Sequence, residues 1–514
     1  MRHRYPCRHS SGDWDRRQDE GVQLKYYTTF SEGNMSIRDI EWGEDEAKGD
    51  QNLANYFVEI PVMNDIYDGK IRYVIGRKGS GKSAIAEKIR IDFSNSPNVF
   101  FDDVSLKNFP VNDFRNLEDK SYRDKSKFIE AWKFVILMNL SSLILSDASC
   151  EHQESVTSLQ KFIDKNFPNI EFGITKCITH LNESKFKVSI HGCGFDTGEN
   201  GTAATDIHFS QATRSILECI KRTQTQNTYY LFFDELDEGY TTRDKSLGLV
   251  ILALLRAVEV LSKDLQSSGI EFRPIVMLRS DIFERLHDND LNKLDDYIVR
   301  LDWSAYAGSK GNLIDIVNAR IRASLGKEYS WNDIAVDNDR DLPQNVESLW
   351  KYIVNRTYER PRDIIKFMKF CKSECTSEKL TFKDVKRAEL KYSPWLFNEL
   401  KDEMCAHLEC YEKAVMAINI IGCTSFPYET MCQVLREEDS VARYCKNNSV
   451  SEGEIVQLLF DFSVLGTIEP SGRWMFKYKD LNLPFNKRAN LTLHYGLVKK
   501  LRVKIGKFTP QPLQ

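Results

Sequence analysis

Eight consecutive residues, Gly76, Arg77, Lys78, Gly79, Ser80, Gly81, Lys82 and Ser83, satisfy the pattern GxxxxGK[ST] at every constrained position. These residue types at this spacing suit phosphate binding. The glycines let the backbone curl so that several N–H groups point at one anion, and a following helix adds its positive end. Lys82 is spaced to reach the terminal phosphates of a nucleotide and Ser83 to ligate Mg2+, so the expected ligand is a nucleoside triphosphate, ATP, with magnesium. Tyr73, Val74 and Ile75 ahead of the loop are β-formers, and Ile85 and Ile89 behind it keep helical spacing, which supplies the strand and helix the loop needs.

A second chemical group ends the stretch 228–240, TYYLFFDELDEGY. Its apolar run suits a strand buried on both faces of a parallel sheet, and the acids arrive where that strand ends. Asp234 is the magnesium candidate. Glu235 is the first choice for the general base that orients an attacking water, and Asp237, which the DxLDE spacing places just beyond the strand, is its rival. A turn of solvated acids is the plainer alternative, which the phosphate loop upstream argues against. Arg279 closes a third apolar run, 274–278, where a polar group can sense a terminal phosphate. Arg360 and Arg362 flank Pro361 at a helix start. Positive charge there opposes the helix dipole, so either a phosphate or an ion pair with Asp363 or Glu359 would meet the need.

The elements that must position these residues alternate in type. Strands are expected at 98–101, 228–233, 274–278 and 298–301, and helices at 128–145 and 247–265, which is the order of an α/β fold with a parallel sheet covered by helices on both faces. Lys82 and Asp234 stand about 150 positions apart, too far for one crossover. An insertion is therefore expected around 149–226, whose alternating piece 186–190 has glycine-rich polar flanks; a partner surface and a solvated loop fit it equally. Residues 36–60 read as a lead-in beside the first strand, with no chemistry assigned. From 311 the pattern turns helical to about 400. Residues 401–514 read as helices followed by a two-stranded hairpin turning at 470–472, the order of a winged-helix module.

The 514 residues exceed one ordinary core, and 41% hydrophobic with 28% charged content is that of a globular chain. No run approaches about 18 uninterrupted apolar residues, and residues 1–35 read as a loose tail without the apolar core of a secretory signal. A cytoplasmic protein is expected. A net charge of −4 excludes a surface coated in basic residues. It leaves room for a local patch, and Lys477, Lys479, Lys487, Arg488, Lys499, Lys500, Arg502, Lys504 and Lys507, beside Trp474, form a candidate DNA contact or a solvated basic face. The twelve cysteines form no CxxC pair and read as free thiols. Cys405, His407 and Cys410 have ligand-like spacing, but without a second pair they read as buried thiols beside an ordinary histidine.

Taken together, GRKGSGKSA, FFDELDE, MLRSDIF and RPRDII resemble the P-loop ATPases of the KAP and STAND type, most closely an uncharacterised family of bacterial P-loop ATPases, over about residues 36–500. The resemblance implies a nucleotide-driven switch or motor that oligomerises or works with a partner protein; several such relatives act in DNA transactions or in defence against phage. Glu235 stands where those relatives often carry a small residue or Asp, which keeps the base open between Glu235 and Asp237. Two other readings remain: a nucleotide-gated interaction module with little turnover, and a P-loop kinase of small molecules, against which the chain length and the distant acids argue.

Overall fold

The computed structural model describes residues 36–105, 124–150, 153–166, 186–191, 194–196, 205–207, 209–236, 240, 245–286, 288, 291–303 and 312–509. The tail expected over 1–35 and the rival base Asp237 lie outside them. In chain order the first strands are β1 (Tyr73–Gly76) and β2 (Val99–Ser105), then β3 (Phe186–His191), β4 (Gly194–Asp196) and β5 (Thr205–Ile207), then β6 (Thr228–Asp234), β7 (Glu271–Arg279) and β8 (Ile298–Arg300). Five of them form one parallel sheet in the order β2-β6-β7-β1-β8. The fold is mixed α/β.

β6 shows why this sheet is covered on both faces. Tyr229, Leu231 and Phe233 point into a helical core with Phe134, Leu254 and Val258. Tyr230 and Phe232, on the opposite face, stack on Phe93 and Phe101. A strand with two apolar faces has no wet side, so its sequence is a continuous apolar run. The helices Asp124–Ser146 and Lys245–Gln266 fill the first face, tied by the Trp132 indole, which donates to the Val250 carbonyl at 2.9 Å. Within the first of them, Ser126–Ser146 is long enough to cross a membrane and holds an 18-residue window of mean hydropathy 1.6, yet 72% of that window is buried inside the fold. It is a core helix.

The insertion differs from the excursion the sequence suggested. Its helices Glu154–Asn166 and Phe209–Arg222 bury Leu159, Phe162, Ile216 and Ile220 in the same core as Trp132. The glycine-rich part contains β4-β3-β5, a small antiparallel sheet. The amphipathic spacing of 154–166 and 209–222 was the signal for core, and the polar stretch between them masked it.

The helical region comprises Leu313–Leu325, Trp331–Ile334, Leu349–Val354, Pro361–Glu374 and Phe382–Met404. Capping boxes start the first and last, Asn312 with Asp315 and Thr381 with Asp384, and Pro361 opens its helix where its missing N–H costs nothing. Residues 414–421 divide into two short helices, Tyr411–Met416 and Ile418–Ile421. Next come β9 (Cys423–Phe426), the helices Tyr428–Glu437, Asp439–Asn448 and Glu452–Asp461, then β10 (Leu465–Ile468), β11 (Trp474–Met475), β12 (Leu491–Leu493) and β13 (Lys504–Lys507). The hairpin is present, with Ile468 opposite Trp474. It belongs to a five-stranded sheet, β11-β10-β12-β9-β13, rather than standing alone. Strands as short as β12 and β13 carry too few residues to show a period of two.

Candidate functional site

β1 runs straight into the glycine-rich loop, and the helix Lys82–Phe93 begins where the loop ends. Two glycines are required by backbone conformation: Gly79 has φ 78° and Gly81 φ 98°, a left-handed region that side chains rarely adopt. A β-carbon on Gly79 would also lie 2.9 Å from the Arg362 β-carbon. The indole of Trp303 donates to the Ser80 carbonyl at 2.9 Å and pins the turn. The Lys82 ammonium folds over the loop and donates to the carbonyls of Gly76 (3.0 Å) and Arg77 (3.2 Å).

The sheet brings the distant acid to this loop. Ser83 Oγ donates to Asp234 Oδ2 at 2.7 Å, joining the first turn of the loop helix to the end of β6. Burial pushes the Asp234 carboxyl above its ordinary range, opposed by the Ser83 hydroxyl, the Glu235 amide and the Lys82 charge. Glu235 follows at φ 61°, its amide donating to Asp234 Oδ1 at 2.9 Å while its side chain lies exposed at the strand end. A non-glycine residue held left-handed costs about 1–3 kcal/mol and marks positions where geometry matters.

β7 lies between β1 and β6, and its last residue, Arg279, is in register with Gly76. Its guanidinium makes a paired contact to Asp281 at 2.9 and 2.8 Å. Asp281 also meets His407 Nε2 at 3.5 Å. Burial alone would raise the Asp281 carboxyl, but the hydrogen bond from His407 and the charge and hydrogen bonds of Arg279 outweigh it and hold it well below the carboxylate range. His407 is thus bound to an acid. Among the described residues no three His, Cys, Asp or Glu side chains are grouped to hold a metal.

The two helix-start arginines separate. Arg360 has a side chain only 3% exposed and pairs with Asp363 and Glu403; it also donates to the Lys78 carbonyl at 2.9 Å. It is a strut beneath the loop, and the ion pair with Asp363 takes the charge that a phosphate was the other candidate to take. Arg362 lines the cleft beside Gly79, Lys82 and Ser83, with Nη1 3.5 Å from Glu399. The loop's own cations continue this network: Arg77 lies 3.6 Å from Glu403 and 4.7 Å over the Tyr358 ring, and Lys78 is 3.7 Å from Glu399 and from Asp402. Glu399, Asp402 and Glu403 all sit on the helix Phe382–Met404. Sequence reasoning missed them, although the 399/403 spacing places two acids on one helical face.

It also missed the lead-in. Asp50, Leu53, Tyr56 and Ile60 line the same cleft as the loop, together with Ile316, Pro361 and Ile365. Asp50 fixes this wall by accepting from the Tyr56 hydroxyl and the Asn52 amide, while Lys366 and Lys369 hold Asp45 at 2.8 and 2.6 Å. The only hint in the sequence was the density of acids and aromatics over 42–57.

The nine basic residues are divided among several elements. Lys479 pairs with Glu359 at 2.7 Å, Lys477 donates to the Leu483 carbonyl at 3.1 Å, and Lys504 and Lys507 stand on β13, the sheet edge opposite Trp474. Trp474 itself is half-buried and stacked on Tyr495.

Residues 311–401 match the family model described as a FunZ-associated C-terminal helical domain. That span carries Arg360, Arg362 and Glu399. No curated protein matches the chain.

Proposed function

We propose that the glycine-rich loop is a P-loop, that it binds ATP with Mg2+, and that the chain hydrolyses ATP to drive a change in its C-terminal half. The observation that carries this reading is the 2.7 Å contact between Ser83 and Asp234 beside Lys82, three residues of the required types from two sequence regions. The residues fit the ligand: Gly79 and Gly81 keep the loop open to an anion, and a hydroxyl next to a carboxylate is a hard-oxygen donor set for magnesium. A magnesium ion held there would supply positive charge to offset the negative charge that builds on a nucleotide's phosphates. Lys82 would bind the terminal phosphates, Ser83 and Asp234 would hold the cation's shell, and Glu235 would accept the proton of the attacking water. The lead-in and Ile316, Pro361 and Ile365 supply apolar walls for the base. In this reading the winged-helix-like C-terminal module is the moving part, joined to the loop by Arg77, which lies 3.5 Å from the Phe462 carbonyl while also pairing with Glu403 of the helical region.

A second reading is favoured by one observation: Arg279 and Arg360 are both committed to carboxylates. A site in which they stay so committed would bind nucleotide tightly and turn over little, as a nucleotide-gated interaction module does. Phosphate release with and without magnesium, alongside calorimetric ATP binding, tests both. Magnesium-dependent turnover that Asp234→Asn abolishes supports the ATPase; binding without turnover supports the gated module; absence of ATP binding by the wild-type protein overturns both.

A further inference from the structure

A second cavity adjoins the glycine-rich loop. It shares Ser80, Leu301 and Trp303 with the nucleotide cleft, but neither Lys82 nor Ser83 lines it. The Trp303 indole, which donates to the Ser80 carbonyl, therefore belongs to the wall common to both spaces. Arg77 and Ser80 reach the cavity from the loop, Arg300 from the end of β8, Tyr358 and Arg360 from the helical region and Tyr478 from the C-terminal module.

Two donors in this lining have nothing to bond. Ser80 is 2% exposed and its buried Oγ has no hydrogen-bond partner; Arg77 Nη1 is buried and has none either. The Arg77 guanidinium spends its other terminal nitrogen, Nη2, on the Phe462 carbonyl at 3.5 Å and on Glu403 at 3.6 Å. Gly76, which also lines the cavity, leaves room for the hydroxyl: a β-carbon there would lie 2.4 Å from Ser80 Oγ. A buried donor without an acceptor bears the full cost of its desolvation, so such atoms mark a place where an acceptor belongs. Arg300 and Ser280 bring further donors to the same space.

Two carboxylates line it as well, Asp302 and Glu359, the latter engaged by Lys479 at 2.7 Å. The guanidinium groups of Arg77, Arg300 and Arg360 outnumber them, although each has a carboxylate partner of its own, Glu403, Glu284 and Asp363. Unfilled donors, more than surplus charge, therefore select the ligand, and Arg360 remains a strut. Size narrows the choice. The cavity measures about 50 Å3, and a buried water needs about 10–15 Å3, so the space holds about four oxygens and no ring.

We propose that this cavity binds a small tetrahedral oxyanion, inorganic phosphate or sulfate, on Arg77 Nη1 and Ser80 Oγ. Its oxygens only accept, which is what the two donors lack, and the bound anion ties the loop to the helical region and the C-terminal module. The site does not depend on the nucleotide reading above.

The test is calorimetry of the full chain with inorganic phosphate at constant ionic strength, without nucleotide, on Lys82→Ala so that the nucleotide face of the loop does not contribute. That variant should bind one phosphate saturably, sulfate should compete, and phosphate but not chloride should raise the melting temperature. Adding Ser80→Ala should weaken phosphate binding about ten- to a hundredfold, the loss of one hydrogen bond to a charged group. Its melting temperature without phosphate should not fall, because the deleted hydroxyl has no bond to lose. Arg77→Gln should weaken phosphate at least as far, and Ser80→Ala stands as the test should that variant fail to fold. Phenyl phosphate, whose ring exceeds the cavity, separates a free oxyanion from a phosphate carried by a larger molecule and should not compete. The proposal is overturned if Lys82→Ala shows no saturable phosphate binding, if Ser80→Ala keeps the affinity, or if phenyl phosphate displaces phosphate fully.

Discussion

Glu403→Gln probes the strut that holds the glycine-rich loop on the helical region. Glu403 has a side chain 3% exposed, pairs with Arg360, and lies 3.6 Å from Arg77. Burial would raise its carboxyl above the ordinary 4.5, but the charges of Arg360, Arg77 and Arg279 outweigh burial and hold it lower. Removing one partner of a buried pair costs about 3–5 kcal/mol, because the other charge is left uncompensated. Gln keeps the volume and one acceptor, and Arg360 retains Asp363, so the lower end, about 3 kcal/mol, is expected. The assay is the denaturant midpoint of the first unfolding transition, measured at about pH 7 and on acidification. A carboxyl whose folded value is depressed contributes stability that is present above its unfolded value and lost as pH falls through the folded one. Wild type should therefore lose stability as pH drops below about 4.5, and the variant should lose less. Glu412→Gln, which breaks the exposed Lys401–Glu412 pair, is the control and should change stability by no more than about 0.5 kcal/mol. If Glu403→Gln behaves like that control, or keeps the wild-type acid sensitivity, the buried strut is not what secures the loop.

Three further outcomes are expected. Lys82→Ala should weaken ATP binding by about tenfold or more, read by calorimetry, since it deletes a charge-assisted contact to the terminal phosphates. Glu235→Gln should keep ATP affinity and stop phosphate release, because an amide cannot accept the proton; normal turnover in Glu235→Gln with loss in Asp237→Asn would move the base to Asp237. Gly79→Ala should destabilise by about 1–3 kcal/mol and disturb the docking of the helix Pro361–Glu374, since both its φ of 78° and the Arg362 β-carbon at 2.9 Å oppose a side chain; a neutral melting temperature would refute that reasoning.

What could be read from the chain alone is what local physics writes into it. The loop is a contiguous pattern flanked by a strand and a helix. The double-faced burial of β6 shows as an unbroken apolar run from Tyr229 to Phe233. Capping residues and Pro361 mark helix starts, and the hairpin turn at 470–472 announces itself by Pro470 and Gly472. Only the tertiary structure decided the partners. That Arg360 is a strut and Arg362 a wall of the cleft depends on where the helix Phe382–Met404 turns acids that lie more than 35 residues further on. Asp50 and Tyr56 join the cleft because the lead-in folds back over the loop, and the turn at Gly496 sits against the Arg356 carbonyl oxygen only because no β-carbon stands between them. Charges and aromatics far apart in sequence carry no periodic signal, since their energy depends on distance and burial that the chain acquires when its elements pack.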